Sequence, residues 1–366
     1  MAIIRIFPKQ DSTIYTEYPQ LNAGIDAILD LSKNASVNNP SYSATSRILI
    51  EFDQDEILAS IADFASPSAS ISASLGLYLA EATAIPVNYS LEIFAVSESW
   101  DPGTGRFSNV PTTTDGVCWQ YKDVNFDDWN SGSFASNVTA SFTSDNGGGG
   151  NWYFDTGVTE SFDYRKKKDV NVDVSAIVNN WISGSIPNNG FIVKNDDTNE
   201  FNANVQYTLM YFSTDTNTIY PPYLDIKWDD SVYNPDTSSM QLISTTNIVT
   251  SLQNNPGAFD NDEIVYMKIN ARPQYPNQIF ATSSIYVTGN YLPETSYWRI
   301  RDVDTNIIVM DFDTNFTKIS ADNTGNYFNI HMAGLEPERY YRVEIRVDFS
   351  GSVHILNDNY FFKVNQ

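Results

Sequence analysis

Short stretches of alternating apolar and polar residues recur along the chain, and each is bounded by Asn, Gly, Pro, Ser or Asp. A strand that buries one face has this period of two, and turn-forming residues are expected between strands. Before residue 230 the pattern predicts six strands: Ala2–Phe7, Arg47–Phe52, Leu75–Leu79, Leu91–Val96, Val205–Phe212 and Tyr223–Trp228. Such short strands, separated by turn-forming residues, are typical of an all-β sandwich.

A polar stretch without periodicity, DDSVYNPDTSS, separates these strands from a second set. We predict a first domain over residues 1–230, a linker over 231–239 and a second domain over 240–366, since 366 residues exceed the usual size of a single core. The second set contains seven segments: Glu263–Ile269, Ser284–Thr288, Tyr297–Arg301, Ile307–Phe312, Tyr327–Met332, Arg339–Phe349 and Tyr360–Val364. Their number and spacing predict an immunoglobulin-like sandwich without the usual disulfide.

One segment departs from the strand pattern. In VDVSAIVNNWISG the apolar residues fall at helical spacing, Asp173 or Ser175 can cap the start, and Gly184 can end the helix. We predict a single short helix whose Trp181 closes one end of the first sandwich. The glycine-rich run SDNGGGGNW, Ser144–Trp152, predicts a mobile loop, because each Gly loses much backbone entropy on folding.

The balance of charge limits the partners. The formal net charge is −24, from 45 acidic and 21 basic residues. An acidic surface repels phosphate groups, so we expect neither nucleic acid nor a membrane as a partner. The basic run RKKK, Arg165–Lys168, lies between Asp163 and Asp169 and is predicted to be a solvated strand edge. The N-terminal MAIIRIFPKQD alternates like a strand and lacks the apolar core of a secretion signal.

The sequence offers few groups for catalysis. Its only histidines are His331 and His354, and Cys118 is its only cysteine, so a zinc site built from the three is not expected. Asp302, Asp304 and Asn306 imitate the start of a calcium-binding loop, but the glycine and the final glutamate that such a loop needs are replaced by Ile and Asp. Acidic residues are frequent, yet no spacing singles out a pair for glycoside hydrolysis. We therefore predict no enzyme activity, no catalytic residues, no cofactor and no metal site.

Aromatic residues leave one binding function open. Trp129, Trp152 and Tyr121 lie in a segment rich in Gly, Asn and Asp, where exposed rings could stack on sugars. They are the candidate glycan-contact residues of an alternative function, a carbohydrate-binding or adhesin module. Trp100 and Trp119, in the same part of the chain, are expected in the sandwich core.

The first 230 residues resemble a known domain type. The segment that joins the predicted helix to GFIVK is similar to the closing half of the DNRLRE-type domain, a β-sandwich found in cell-surface and carbohydrate-active proteins. The remaining similar segments follow in the same order: DSTIYTEYPQLNAG (Asp11–Gly24), SRILIEFD (Ser46–Asp53), SASLGLYLAEA (Ser72–Ala82), SLEIFAVSESW (Ser90–Trp100) and PPYLDIKW (Pro221–Trp228). The resemblance implies a DNRLRE-like sandwich for the first domain, and the second domain matches no named family.

A narrower resemblance concerns four segments: Ile85–Phe107, Gly116–Asp123, Gly147–Phe154 and Trp181–Lys194. Together they resemble virion structural proteins of contractile-tailed bacteriophages. This resemblance implies a component of the neck, tail or fibre region that is assembled in the host cytoplasm and located in the virion. Its expected partners are other virion proteins and further copies of itself in a symmetric assembly, with a surface glycan as the partner under the alternative function.

Overall fold

The structure is a computed structural model that describes residues 2–35, 43–62, 71–108, 115–125, 127–129, 148–202, 204–275, 289–349 and 351–366. The described residues form mostly β-strands in several sheets, with two α-helices and one short 3-10 turn, Met332–Gly334. The prediction of an all-β protein is confirmed. The predicted strand at 284–288 lies outside the described residues.

The described residues fall into two compact units. The N-terminal unit comprises residues 6–62 and 72–225, and the C-terminal unit comprises residues 2–5, 71 and 226–366. Independent folding of the domains 1–230 and 240–366 stays a prediction. The elements in the first 230 residues are β1 (Ala2–Ile6), β2 (Gln10–Tyr15), β3 (Ile28–Ala35), β4 (Ser43–Glu51), α1 (Gln54–Ala62), β5 (Ile71–Leu77), β6 (Leu79–Thr83), β7 (Asn88–Val96), β8 (Trp152–Asp163), β9 (Val170–Asp173), α2 (Ser175–Ser183), β10 (Phe191–Asn195), β11 (Tyr207–Phe212) and β12 (Tyr223–Trp228).

The N-terminal unit is built around an eight-stranded antiparallel sheet. Its strand order is β6-β11-β3-β4-β10-β7-β8, and β2 also pairs with β4. Strand β4 changes partner along its length, because residues 43–45 pair with β3 whereas residues 46–51 pair with β2. A second pairing, between β5 and β9, is also antiparallel. One core cluster of this unit contains nine buried apolar residues: Ile14, Leu49, Val96, Trp100, Val117, Trp119, Trp129, Trp152 and Ile192.

The predicted helix is present as α2. Trp181 is only 2% exposed, and its ring centroid lies 4.6 Å from that of Phe191. Gly184 ends the helix in the left-handed conformation, at φ 71°, and its N–H bonds to main-chain carbonyls of the last turn. At the start, Asp173 accepts the N–H of Ser175 at 2.9 Å. The expectation of a single helix was wrong, because a second helix, α1, lies shortly after β4 and buries Ile57 completely.

The C-terminal unit is a sandwich of two main sheets and contains a third sheet of two strands. Its strands are β13 (Met240–Leu242), β14 (Ile248–Gln253), β15 (Ala258–Asp260), β16 (Ile264–Pro273), β17 (Gly289–Tyr291), β18 (Ser296–Asp302), β19 (Ile308–Met310), β20 (Ser320–Asp322), β21 (Gly325–His331), β22 (Tyr340–Phe349) and β23 (Ser352–Asn365). The sheets β14-β16-β21-β20 and β15-β23-β22-β18-β19 share one core cluster. In that core Trp298 and Phe328, from opposite sheets, stack with centroids 5.0 Å apart.

The segment predicted as a linker is tied to the C-terminal unit. The N–H of Val232 donates to Ser320 Oγ at 3.1 Å, and Asn234 N–H donates to the carbonyl of Ala321 at 2.8 Å. Ala321 N–H in turn donates to the carbonyl of Val232 at 2.9 Å. These residues therefore lie beside β20 in a parallel bridge between Tyr233 and Ala321, which the absence of apolar periodicity did not indicate.

Candidate functional site

The aromatic residues predicted to contact glycans do not form an exposed platform. Trp129 is 4% exposed, and its Nε1 donates to the carbonyl of Cys118 at 3.0 Å. Trp152 is 9% exposed, and only Tyr121 is partly exposed. A buried ring has no free face for a sugar, so the positions of Trp129 and Trp152 argue against the glycan-contact prediction for them. Trp100 and Trp119 are buried, which confirms their assignment to the core.

The indole rings instead surround a buried arginine. The guanidinium carbon of Arg47 lies 4.7 Å from the Trp119 ring centroid and 4.9 Å from that of Trp152. Glu200 accepts from Arg47 Nε at 2.7 Å and from Nη2 at 3.2 Å, and Nη1 donates to the carbonyl of Gly149. The side chains of Arg47 and Glu200 are each 2% exposed. The bidentate ion pair with Glu200 and the cation–π contacts with the two indole rings stabilise the charge of the buried guanidinium.

Lys194 extends this buried network. Its Nζ lies 3.0 Å from Glu92, 2.7 Å from Asp197 and 3.3 Å from Glu200, and it also donates to the main-chain carbonyl of Asn195 at 2.8 Å. Burial alone lowers the pKa of Lys194, but the charge of Glu200 and the hydrogen bond to Asp197 outweigh it, so the pKa lies above its ordinary value. The amine therefore stays charged, and it anchors the loop that follows β10.

The end of the glycine-rich run is packed against the same network. Gly148, Gly149 and Gly150 are buried and have φ values of 119°, 87° and 85°, which L side chains rarely adopt. A Cβ on Gly149 would lie 2.6 Å from Trp119 and 2.7 Å from Arg47 Nη1. The mobile-loop prediction was therefore wrong for residues 148–150, which let the main chain reach Arg47. Residues 144–147 lie outside the described residues.

A second buried polar centre lies in the LNAG segment. The side-chain amide of Asn22 donates to the carbonyls of Pro102 at 2.7 Å and Val117 at 2.8 Å. Its oxygen accepts the N–H groups of Gly24 at 3.3 Å and Gly105 at 2.6 Å. All four hydrogen bonds of the side chain stay within the protein, so Asn22 holds three chain segments together and presents nothing to a ligand.

His331 and Asp302, which were considered above as metal ligands, have structural roles. His331 is 4% exposed, and burial lowers its pKa to about 4, so it is neutral at ordinary pH. Asp302 accepts the N–H of Thr305 at 2.7 Å with one oxygen and Arg339 Nε at 2.6 Å with the other. Asp302 thus caps a turn. Among the described residues no group of three or more His, Cys, Asp or Glu is placed to hold a metal ion.

An open cleft of the N-terminal unit lies where β7 begins and β8 and β10 end. It has a volume of about 640 Å³. Strand β7 and the paired end of β8 form one part, the turn after β8 a second, and the loop after β10 a third. The lining residues are Asn88, Tyr89, Ser90, Thr159, Ser161, Phe162, Asp163, Lys166, Asp196, Thr198 and Asn199. Nine of these eleven side chains carry a polar group other than a phenol, so the cleft is suited to hydrogen bonding.

The elements around the cleft are held by the strand register and by short-range contacts. Antiparallel pairing places Ser90 opposite Ser161 and Asn88 opposite Asp163. RKKK forms the turn between β8 and β9, so its assignment to a strand edge was wrong, and Lys166 lines the cleft. The sequence showed the four basic residues of this turn. Its proximity to residues 196–199 was not, because about thirty residues of chain intervene.

Comparisons with known proteins add little. No family model matches the chain, and no curated protein matches it. Among solved structures, a DUF4785 family protein from Legionella pneumophila has a TM-score of 0.16 and 8% sequence identity, covering 98% of this chain. The chain spans 65% of the length of that protein. So low a TM-score carries no argument about fold or function. No helix in the described part of the chain is both long enough and apolar enough to cross a membrane.

Proposed function

We propose that the chain is a structural component of a bacteriophage particle, in the neck, tail or fibre region, that acts by binding other virion proteins and has no enzyme activity. The observation that carries the proposal is that large and charged side chains in the segments that resemble virion proteins and the DNRLRE-type domain are buried. Arg47, Trp100, Trp181 and Lys194 are all buried in the N-terminal unit. These residues stabilise the sandwich and are not available to a ligand. This favours a scaffold that binds its partners through its exposed surface.

The charge of the chain supports a particular kind of protein partner. With a formal net charge of −24, the surface favours a neighbour that presents Lys and Arg. Such complementarity speeds association and selects the partner more than it adds affinity. Copies of the chain in a particle would follow its rotational symmetry, and each contact surface would then be repeated.

The test is the composition of purified particles. Quantitative mass spectrometry of phage particles that encode this chain should detect it at a copy number that matches a symmetric ring or fibre. Particles made without it should lack a neck, tail or fibre feature or should fail to assemble. Absence of the chain from intact particles would contradict the proposal. So would reproducible cleavage of a polysaccharide by the purified protein that a single Asp or Glu substitution abolishes.

A further inference from the structure

The cleft at the ends of β7, β8 and β10 has the chemistry of a sugar site. We propose that it binds a neutral saccharide. Its volume of about 640 Å³ lies within the usual range for small-molecule sites. This function is separate from the virion role, and it involves neither Trp129 nor Trp152.

Several polar side chains in the cleft have unused hydrogen-bonding capacity. Asn88, Thr159 and Thr198 are exposed, and their side chains have no hydrogen-bond partner among the described residues. The amide of Asn88 offers both donors and an acceptor, and each threonine hydroxyl offers one donor and two lone pairs. Sugar hydroxyls also donate and accept, so such a set matches a saccharide better than an apolar ligand.

Other side chains in the cleft are fixed by partners within the protein. The hydroxyls of Ser90 and Ser161 lie 3.0 Å apart, within hydrogen-bond distance. Asp196 accepts the side-chain amide of Asn199 at 2.9 Å, and Asp163 accepts the N–H of Lys166 at 2.8 Å. Groups that are already ordered lose little entropy when a ligand binds, which favours recognition of a specific arrangement of hydroxyls.

Two packed aromatic rings form the floor of the cleft. Tyr89 and Phe162, which face each other across the β7–β8 pair, stack with ring centroids 4.9 Å apart and planes 12° apart. Both are at least nine-tenths buried, at 5% and 2% exposure. They support the polar side chains above them, so we assign recognition to hydrogen bonds rather than to ring stacking.

The charges in the cleft favour a neutral sugar over an acidic one. Asp163 and Asp196 contribute two carboxylates. Lys166, the one cation among the described residues that line the cleft, is paired with Glu160 and donates to the carbonyl of Ser161 at 3.0 Å. Hydrogen bonds from main-chain N–H groups lower the pKa of Asp163, so this carboxylate stays charged. A uronate or sulfate would meet repulsion here and from the acidic chain as a whole.

The experiment uses the full chain and two panels of probes. Saturation-transfer NMR and titration would compare neutral oligosaccharides of glucose, galactose, mannose and N-acetylglucosamine with oligosaccharides of uronic acids. The test variant is Asn88→Ala with Thr198→Ala, since both side chains are exposed and bind nothing else in the described residues. The matched control is Asn125→Ala with Thr83→Ala, which alters exposed side chains of the same types outside the cleft.

The expected result is binding of at least one neutral oligosaccharide that the test variant weakens tenfold or more and the control variant by less than twofold. Retained thermal stability of both variants shows that they are folded. Failure of every neutral probe to bind at millimolar concentration would overturn the proposal. Tighter binding of uronic acids, or equal binding by the wild type and the test variant, would also overturn it. None of these outcomes bears on the particle composition that tests the virion role.

Discussion

Replacing Glu200 by Gln isolates the electrostatic contribution of the buried network. Gln has nearly the same shape, so the packing around residue 200 is preserved while its charge is lost. Glu200 Oε1 lies 2.7 Å from Arg47 Nε, and Oε2 lies 3.2 Å from Arg47 Nη2 and 3.3 Å from Lys194 Nζ. After the substitution, Arg47 keeps a carbonyl and two ring faces as partners but no carboxylate. Lys194 keeps Glu92 and Asp197, of which Asp197 is 82% exposed.

The expected loss is large for this unit. Removal of one partner from a buried ion pair typically costs about 3 to 5 kcal/mol, because the remaining charge stays away from water. A domain of ordinary stability has about 5 to 15 kcal/mol in total, so the variant should unfold at much lower denaturant concentration. Urea unfolding followed by tryptophan fluorescence reports on the change directly, since Trp119 and Trp152 flank Arg47.

A control separates this effect from loss of net negative charge. Glu81 is exposed on β6, so Glu81→Gln should change the free energy of unfolding by less than about 0.5 kcal/mol. If Glu200→Gln prevents folding, Arg47→Lys supplies a milder test, because lysine keeps the charge but cannot form the bidentate pair. A decrease of less than about 1 kcal/mol in the free energy of unfolding of Glu200→Gln would refute the reasoning, since an exposed ion pair contributes about that much.

Three further predictions concern stability. Trp181→Ala should lower the free energy of unfolding by about 3 to 5 kcal/mol in urea titrations, because it removes a large buried side chain, and an unchanged midpoint would contradict the plug interpretation. Burial raises the pKa of Asp11 to about 7 in the folded state, so folding favours its protonated form and stability falls as pH rises from about 4 to 7. Asp11→Asn should therefore raise the free energy of unfolding at pH 8 by up to about 4 kcal/mol, measured as a higher melting temperature, and should add nothing near pH 3.5. An equal effect at both pH values would contradict this sign. Tyr207→Phe should cost about 1 to 3 kcal/mol in chemical denaturation, because it leaves the buried side-chain oxygen of Asn195 without its donor, whereas Tyr89→Phe should be neutral or stabilising, since the buried Tyr89 hydroxyl has no partner among the described residues. Equal costs for the two tyrosines would show that these hydroxyls are not what distinguishes them.

Local sequence determined the fold class and the kinds of element. The alternation of apolar and polar residues indicated strands because a strand buries every second side chain, and this period is a property of the segment alone. The helix α2 was predictable for the same reason, since its apolar spacing and Gly184 lie within a dozen residues. The helix α1 was not predicted, because only two residues separate it from β4 and its nine residues carry only a short apolar pattern.

Tertiary structure alone decided the buried charges and the cleft. Arg47 and Lys194 interrupt apolar strands, which is a visible signal, but their partner Glu200 comes from a polar loop that nothing in the sequence connects to Arg47, 153 residues away. The cleft likewise joins residues 88–90, 159–166 and 196–199. Strand order brings these segments together, and strand order depends on the packing of the whole sheet. The packing of the sheet also decides the burial of Trp129 and Trp152. Their segment is rich in Gly, Asn and Asp, a composition typical of exposed loops, and only the tertiary structure places these two rings in the core near Arg47.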